Sequence, residues 1–347
     1  MAYTTINNGS LFMNPKIYTG NGGTQTITDV NFEPDLIVTK GRDLGESPWW
    51  TDKVVGLTKY RYSDGGAADS TYTTAVTGTN SDGYVLGNQN GFNNNTNTFV
   101  SWNWKANGAG SANTDGSISS TVSVNTTSGF SIVKWSGTAG NATVGHGLGA
   151  VPKMIIIKNL SDAYYWVVYH QATGNTAYTR LNTTDASSSS LNMFQNYTPT
   201  DDVFYVSSQG YVNGGGGNQM IAYCFADVQG FSKMGSYVGN GSADGTFVYT
   251  GFKPAFVMAK RSNSASSADW NIRDNKRSPI NVASQVLQAN LSSVEGTASG
   301  TLIDIYSNGF KPRSSGSGVN AGSSLYIYMA FAEAPLVGTN NVPANAR

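Results

Sequence analysis

Apolar residues along this chain fall in short runs, not at helical spacing. Leu36-Ile37-Val38, Ile155-Ile156-Ile157 and the run Met220 to Phe225 are each bounded by clusters of Gly, Asn, Asp and Ser. Runs of about four to seven residues rich in Val, Ile, Tyr and Phe, with turn formers between them, predict strands at the spacing of a sandwich. The first two runs are continuous, which predicts a central strand buried on both sides. Tyr326 and Tyr328 alternate with Ile327 and Met329, which predicts one face on a core. Gly20-Asn21-Gly22 and Gly239-Asn240-Gly241 read as tight turns, where positive φ costs little. Helical spacing is confined to Ser284–Asn290, enough for a turn or two.

The pattern recurs. A Pro, an apolar run and a Lys six residues on appear as Pro34 to Lys40, Pro152 to Lys158 and Pro254 to Lys260. Upstream stand Tyr18-Thr-Gly20, Trp135-Ser-Gly137 and Tyr237-Val-Gly239; downstream stand Trp50, Trp166 and Trp270. Next come Ser81-Asp-Gly83, Ser208-Gln-Gly210 and Ser307-Asn-Gly309, each followed by an aromatic residue. Aromatic-rich strands then close each copy at Phe99–Trp104, Met220–Phe225 and Tyr326–Phe331. The Pro-to-Pro period is 118 and then 102 residues, far beyond the roughly 20–50 of solenoid repeats. Each copy therefore reads as a domain, and the predicted fold is all-β: three tandem, divergent, jelly-roll-like β-sandwiches. The boundaries are 1–108, a Gly/Ser/Thr/Asn connector over 109–126 (flexible, or a pair of short strands), 127–228, 229–335 and a tail over 336–347. Copies two and three abut through Asp227-Val-Gln-Gly230, whereas the connector sets copy one apart as a distinct contact domain.

Composition changes the picture in two ways. Only 12% of residues are charged, against about 25% in an ordinary domain, yet 19 Tyr, 14 Phe and 7 Trp exclude the disorder that low charge could otherwise suggest. Basic and acidic residues balance at 21 each, so no long-range field recruits nucleic acid or an anionic membrane. No apolar stretch approaches the length of a membrane span, and Met1–Thr5 has neither a basic segment nor an apolar core, so no signal peptide is expected. A chain this close to neutral suits a working state inside a large assembly.

Candidate chemistry is sparse. His146, in Gly145-His-Gly147, reads as an exposed loop residue, and Cys224, the single cysteine, as core packing. Two histidines and one cysteine cannot build a Cys/His structural zinc site, and no calcium-loop spacing occurs. Asp201 and Asp202 are sequence neighbours that point apart in a strand, so no pair of carboxylates is evident for glycoside cleavage. No enzyme activity, cofactor or metal is expected. The recurring Lys reads as a strand-end side chain that snorkels or guards an edge, with a ligand contact shared by three copies as the sharper alternative. Trp50, Trp166 and Trp270 read as core. The surplus lies in aromatic and amide residues, which suit sugar rings or a protein interface. Trp49, Tyr60, Tyr62, Tyr164, Tyr165, His170 and Tyr178 are the candidate binding residues, His170 being first a strand-end residue.

The Tyr18–Gly22 turn, FEPDLIVTKGRD (32–43), SDGYVLG (81–87), FVSWNWKANG (99–108) and GFSIVKWSGTAGNATVGHGLGAVPKMIIIKN (129–159) resemble a repeat domain of virion structural and tail-fibre proteins of tailed phages, especially marine and cyanobacterial ones. The resemblance spans about Lys16 to Glu333 and is loosest in the third copy. It implies a virion protein made in the host cytoplasm, partnered by other virion proteins, oligomeric with a trimer favoured, and able to bind host cell-surface glycan or receptor. A capsid decoration or head-fibre protein is the alternative, since no coiled-coil or collagen-like shaft is visible. A polysaccharide-degrading enzyme is the alternative of another class.

Overall fold

The computed structural model describes residues 3–266, 268–297, 299–338 and 343; most of the expected tail lies outside the described residues. The protein is all-β, with short helices only, and all pairs of strands within its sheets are antiparallel. Each repeat forms one large sheet. In the first, the strand Met13–Thr19 is followed across the sheet by Thr98–Trp104, Leu36–Gly41, Trp49–Asp52, Lys59–Tyr62 and Ser70–Thr71. The last four are consecutive in sequence and run as a meander. The third repeat has the same order, from Ser232–Val238 through Leu325–Pro335 and Phe252–Arg261 to the strands ending at Thr297. The second keeps the first five places of that order, ending at Thr179–Arg180, and adds two strands at its other edge, Ser120–Asn125 and Ser111–Asn113. The segment 109–126 thus extends the sheet of repeat two. A smaller sheet accompanies each large one, built on Gly83–Leu86, Val203–Val206 and Gly309–Pro312. The helical turn expected at Ser284–Asn290 is instead the strand Gln285–Gln288, because Val286 and Leu287 complete the sheet and are buried there.

The three repeats do not keep three separate cores. One cluster of buried side chains contains Leu36, Val38 and Trp102 of repeat one, Met154, Ile156 and Tyr223 of repeat two, and Phe256, Met258 and Met329 of repeat three. Register makes these positions equivalent: Val38 faces Trp102, Ile156 faces Tyr223 and Met258 faces Met329 across their sheets. Two residues further on, Trp104, Phe225 and Phe331 meet as a triangle, with ring centroids 6.4 Å, 5.9 Å and 5.8 Å apart. Edge and tilted contacts at these distances are the favourable aromatic geometry. Residues on the opposite face, such as Ile37, Ile155 and Ile157, fill the local cores. The apolar runs are therefore continuous because one face packs on the repeat's own small sheet and the other on the two neighbouring repeats. Repeat three's closing strand follows the same rule: Tyr326 to Ala332 are all buried, where alternation had predicted one wet face.

The junctions run head to tail around a closed ring. Lys158 of repeat two donates to Gly66 O of repeat one at 3.2 Å, Lys260 of repeat three to Thr183 O of repeat two at 3.4 Å, and Lys40 of repeat one to Leu291 O of repeat three at 2.7 Å. None of these lysines guards an edge, because each ends a central strand and is fully buried. Burial pushes all three ammonium groups down to about 8, and the carbonyls of the adjoining repeat supply the acceptors that such a group requires. Trp166 Nε1 likewise donates to Tyr62 O at 2.8 Å and Trp270 Nε1 to Arg180 O at 2.9 Å. At the third junction the pattern breaks, since Trp50 Nε1 has no partner among the described residues. Ser63 Oγ instead donates to Ala289 O at 2.6 Å, Trp102 Nε1 to Asp274 Oδ2 at 3.0 Å, and Arg42 pairs with Glu295 at 2.7 Å. Heterologous contacts of one kind generate a ring when the rotation closes.

One landmark moves. Ser208-Gln-Gly210 is not the counterpart of the Ser81-Asp-Gly83 turn: Gly210 opens the short helix Gly210–Asn213, which corresponds to Asn90–Asn93. The true counterpart is the Asp201-Asp202 turn before Val203. A further landmark escaped the sequence pattern. Asn93, Asn213 and Asn320 are fully buried, and their side-chain oxygens accept from the backbone N–H of Asn21, Thr138 and Asn240 in the three Gly-containing turns at 2.9 Å, 3.1 Å and 3.0 Å.

A shared core predicts that deleting residues 1–108 yields no soluble pair of domains, because the inner faces around Tyr223, Phe225 and Phe331 lose their cover. Fragment solubility, dye binding and a thermal melt read this out, and a cooperatively melting fragment would contradict it. Trp104→Ala is expected to cost about 3–5 kcal/mol in denaturant unfolding, as a shift of one transition and not the loss of one domain. At the junction of repeats two and three, His170 Nε2 lies 3.2 Å from Tyr328 O while its Nδ1 accepts from Ala172 N–H at 3.2 Å. Burial pushes its pKa from 6.5 down to about 4, and protonating Nδ1 would oppose that donor. The unfolded chain therefore binds a proton between these values that the folded chain refuses. Stability contributed by neutral His170 is present above pH 6.5 and lost as pH falls through 4, on the order of 3 kcal/mol. His170→Gln should flatten that part of a stability-versus-pH curve; an unchanged slope would exclude His170 as its source.

Candidate functional site

The seven predicted binding residues divide between the interior and junctions of the ring and one region of repeat two. Trp49 is 4% exposed and Tyr60 is fully buried. Trp49 is the hub of an aromatic cluster, 5.8 Å from Tyr60, 4.6 Å from Tyr62 and 5.1 Å from Phe92. Tyr60 Oη accepts the backbone N–H of Val76 at 2.7 Å. These two form the inside of repeat one and present no face to a ligand; all seven Trp of the chain are in fact buried. Tyr62 is half-buried beside them, with its carbonyl committed to Trp166. His170 is sealed between repeats two and three. His146 is also buried and not exposed, with Nε2 3.2 Å from Thr200 O and Nδ1 accepting from Leu148 N–H.

Tyr164, Tyr165 and Tyr178 come together on repeat two. Asn159 Oδ1 accepts the N–H groups of Ser161 and Asp162, both at 3.0 Å, and this Asx turn lifts the loop off the end of its strand. Trp166 anchors the far end of the loop in the ring core. Between the two anchors the tyrosines are pushed outward, and Tyr165 is 40% exposed. Tyr211, on the short helix Gly210–Asn213, completes the surface: its ring lies 4.7 Å from Tyr164 and is parallel to Tyr165 within 3°, at 6.0 Å. Gly210 allows this approach, since a Cβ there would stand 2.6 Å from Tyr164 Oη. Arg180 lies over Tyr165 at 4.6 Å and faces Tyr178 at 5.7 Å, a cation held against two aromatic faces, and it pairs with Asp185 at 2.7 Å. Tyr178 itself is buried. Burial opposes ionisation of its hydroxyl, but Ser190, Ser188 and Arg180 outweigh burial and hold it below the ordinary value of 10.0.

The other end of the same loop lines a groove. Leu160 and Ser161 close a hollow of about 190 Å³ with Val55, Lys59 and Asp69 of repeat one and Lys134 and Gln219 of repeat two. Lys134 and Gln219 also line the adjoining hollow of about 330 Å³, which continues past Thr121 and Ser136. Ledge and groove are thus the two flanks of one loop, with Ser161 three residues from Tyr164 and so within roughly 10 Å of it along the chain.

This arrangement offers stacking faces, hydroxyl and amide groups and ammonium donors. Cys224 is buried and its thiol is pushed up by burial. No group of three His, Cys, Asp or Glu among the described residues could hold a metal ion. Tyr211, Arg180, Lys134 and Gln219 were not picked out as binding residues from sequence. Tyr211 was visible only as the aromatic residue of a misaligned turn, and the others carry no local signal.

No curated protein matches the chain. The three-repeat ring and its outer ledge lie within a single family match over residues 8–335, and the chain belongs to the family described as a domain of unknown function, DUF7483.

Proposed function

We propose that this protein is a structural component of a tailed-phage particle, a tail fibre or surface appendage, whose second repeat binds carbohydrate on the host surface. The sequence resemblance supplies the particle. The observation that carries the binding role is the ledge of Tyr164, Tyr165 and Tyr211 with Arg180, because an exposed Tyr165 ring parallel to a half-buried Tyr211 ring, beside amide and hydroxyl groups, matches the apolar face and polar rim of a sugar. The inner faces through which three such domains would trimerise are used within one chain, so contacts to other virion proteins, or to further copies, fall to the outer surfaces. A closed ring that meets its neighbours through outer surfaces also suits a capsid decoration protein, the second reading. Hydrolysis has less support: Asp69 at the groove is bound by Arg61 at 3.0 Å, and no second carboxylate lines either hollow.

Immunogold electron microscopy of intact particles should label tails under the first reading and heads under the second, and absence from purified particles would end both. Tyr165→Ala and Tyr211→Ala should each lower retention on host envelope glycan by at least about fivefold, in line with the loss of an aromatic contact of order 1 kcal/mol or more. The melting temperature of Tyr165→Ala should stay close to wild type, since an exposed position contributes little to stability.

A further inference from the structure

The groove beside the ledge carries charge that the fold does not use. Asp69 and Asp52 are both bound by the buried Arg61, and Asp69 is also the nearest compensating charge for the buried Lys158. These two acids and two bases cancel beneath the groove floor. Lys59 and Lys134 remain. Among the described residues, Lys59 Nζ donates only to Thr71 Oγ1, at 2.8 Å. Lys134 is half-buried, and among the described residues its side chain has neither a hydrogen bond nor an ion pair. Lys134 also sits where the two hollows join, as it lines both. Asp162, the one other acid on the loop, is held by the Asn218 amide. In a chain of zero formal charge, two ammonium groups without a carboxylate partner, set against the one Asp162 carboxylate, leave a net positive potential in a concave polar channel.

We infer that the groove takes an acidic sugar chain, carboxylated or sulfated, with Lys134 pairing to an anionic substituent while a neighbouring ring stacks on Tyr165 and Tyr211. The inference rests on the sugar-binding reading of the ledge and narrows it to a chemical class. A half-buried ammonium contacting a carboxylate or sulfate forms a charge-assisted hydrogen bond, stronger than the neutral ones available from Gln219 or Ser161. Aromatic rings add what an acidic peptide would not exploit in the same way.

The full chain can be tested by affinity electrophoresis and titration against alginate, hyaluronate and heparin, with dextran as neutral polysaccharide and polyglutamate as acidic peptide. At least one acidic polysaccharide should bind, and dextran and polyglutamate should bind at least about tenfold more weakly. Lys134→Glu should abolish the binding, Lys134→Gln should weaken it and Lys134→Arg should keep it, all with unchanged melting temperature. Tyr165→Ala should weaken it as well. Binding to none of the three acidic polysaccharides overturns the inference. Retention on dextran that Tyr165→Ala abolishes and Lys134→Glu does not also overturns it, while leaving the sugar-binding ledge intact. Equal binding of polyglutamate, sensitive to Lys134→Glu but not to Tyr165→Ala, sinks both by reducing the groove to a charge site.

Discussion

The triangle of Trp104, Phe225 and Phe331 is the constraint on which the rest of the molecule depends. Each repeat projects one aromatic side chain from its closing strand to a common centre, so no repeat can bury its inner sheet face without the other two. That requirement fixes the continuous apolar strands and turns their Lys ends toward the adjoining repeat. It also leaves only the outer loops and sheet edges free to meet anything else. Hydrophobic burial supplies most of the driving force, and the Lys, Trp and Arg contacts at the rim choose the rotational setting at which the ring closes.

Much of this was legible in the chain, and the failures have physical causes. The Pro, Lys and Trp landmarks align because they mark equivalent positions in equivalent sheets. The continuous runs at Leu36 and Ile155 correctly indicated strands buried on both faces. Sequence could not tell what covers the second face: a small sheet of the same repeat and the large sheet of another both require the same apolar residues. Three tandem sandwiches and one ring therefore have nearly the same hydrophobic pattern. The buried lysines mislead for a related reason. A Lys at a strand end usually reaches water, and here burial is tolerable because carbonyls near in sequence, at Glu46, Asn159 and Ala268, are joined by carbonyls remote in sequence, at Leu291, Gly66 and Thr183.

The candidate site was half legible. Clustered tyrosines at 164 and 165 lie on the loop that carries the ledge, whereas Trp49 and Tyr60 looked like contact residues because they have no counterpart in the other repeats. Uniqueness has a packing explanation there: Gly91 leaves room for the Trp49 ring, its missing Cβ lying 2.4 Å from the indole. Lys134 and Gln219 carry no signature, since a groove between repeats is a property of the ring and not of any segment.

The unequal junctions bear on how such a molecule can change. In a homotrimer a substitution near the axis is imposed on three subunits at once, and must suit all three interfaces or none. Here Trp102, Tyr223 and Met329 occupy one structural position with three chemistries: an indole bonded to Asp274, a phenol bonded to Asp52 and an apolar thioether. Each repeat can therefore drift separately while the ring stays shut. Joining three units in one polypeptide releases the outer loop of a single repeat to specialise without tripling every alteration.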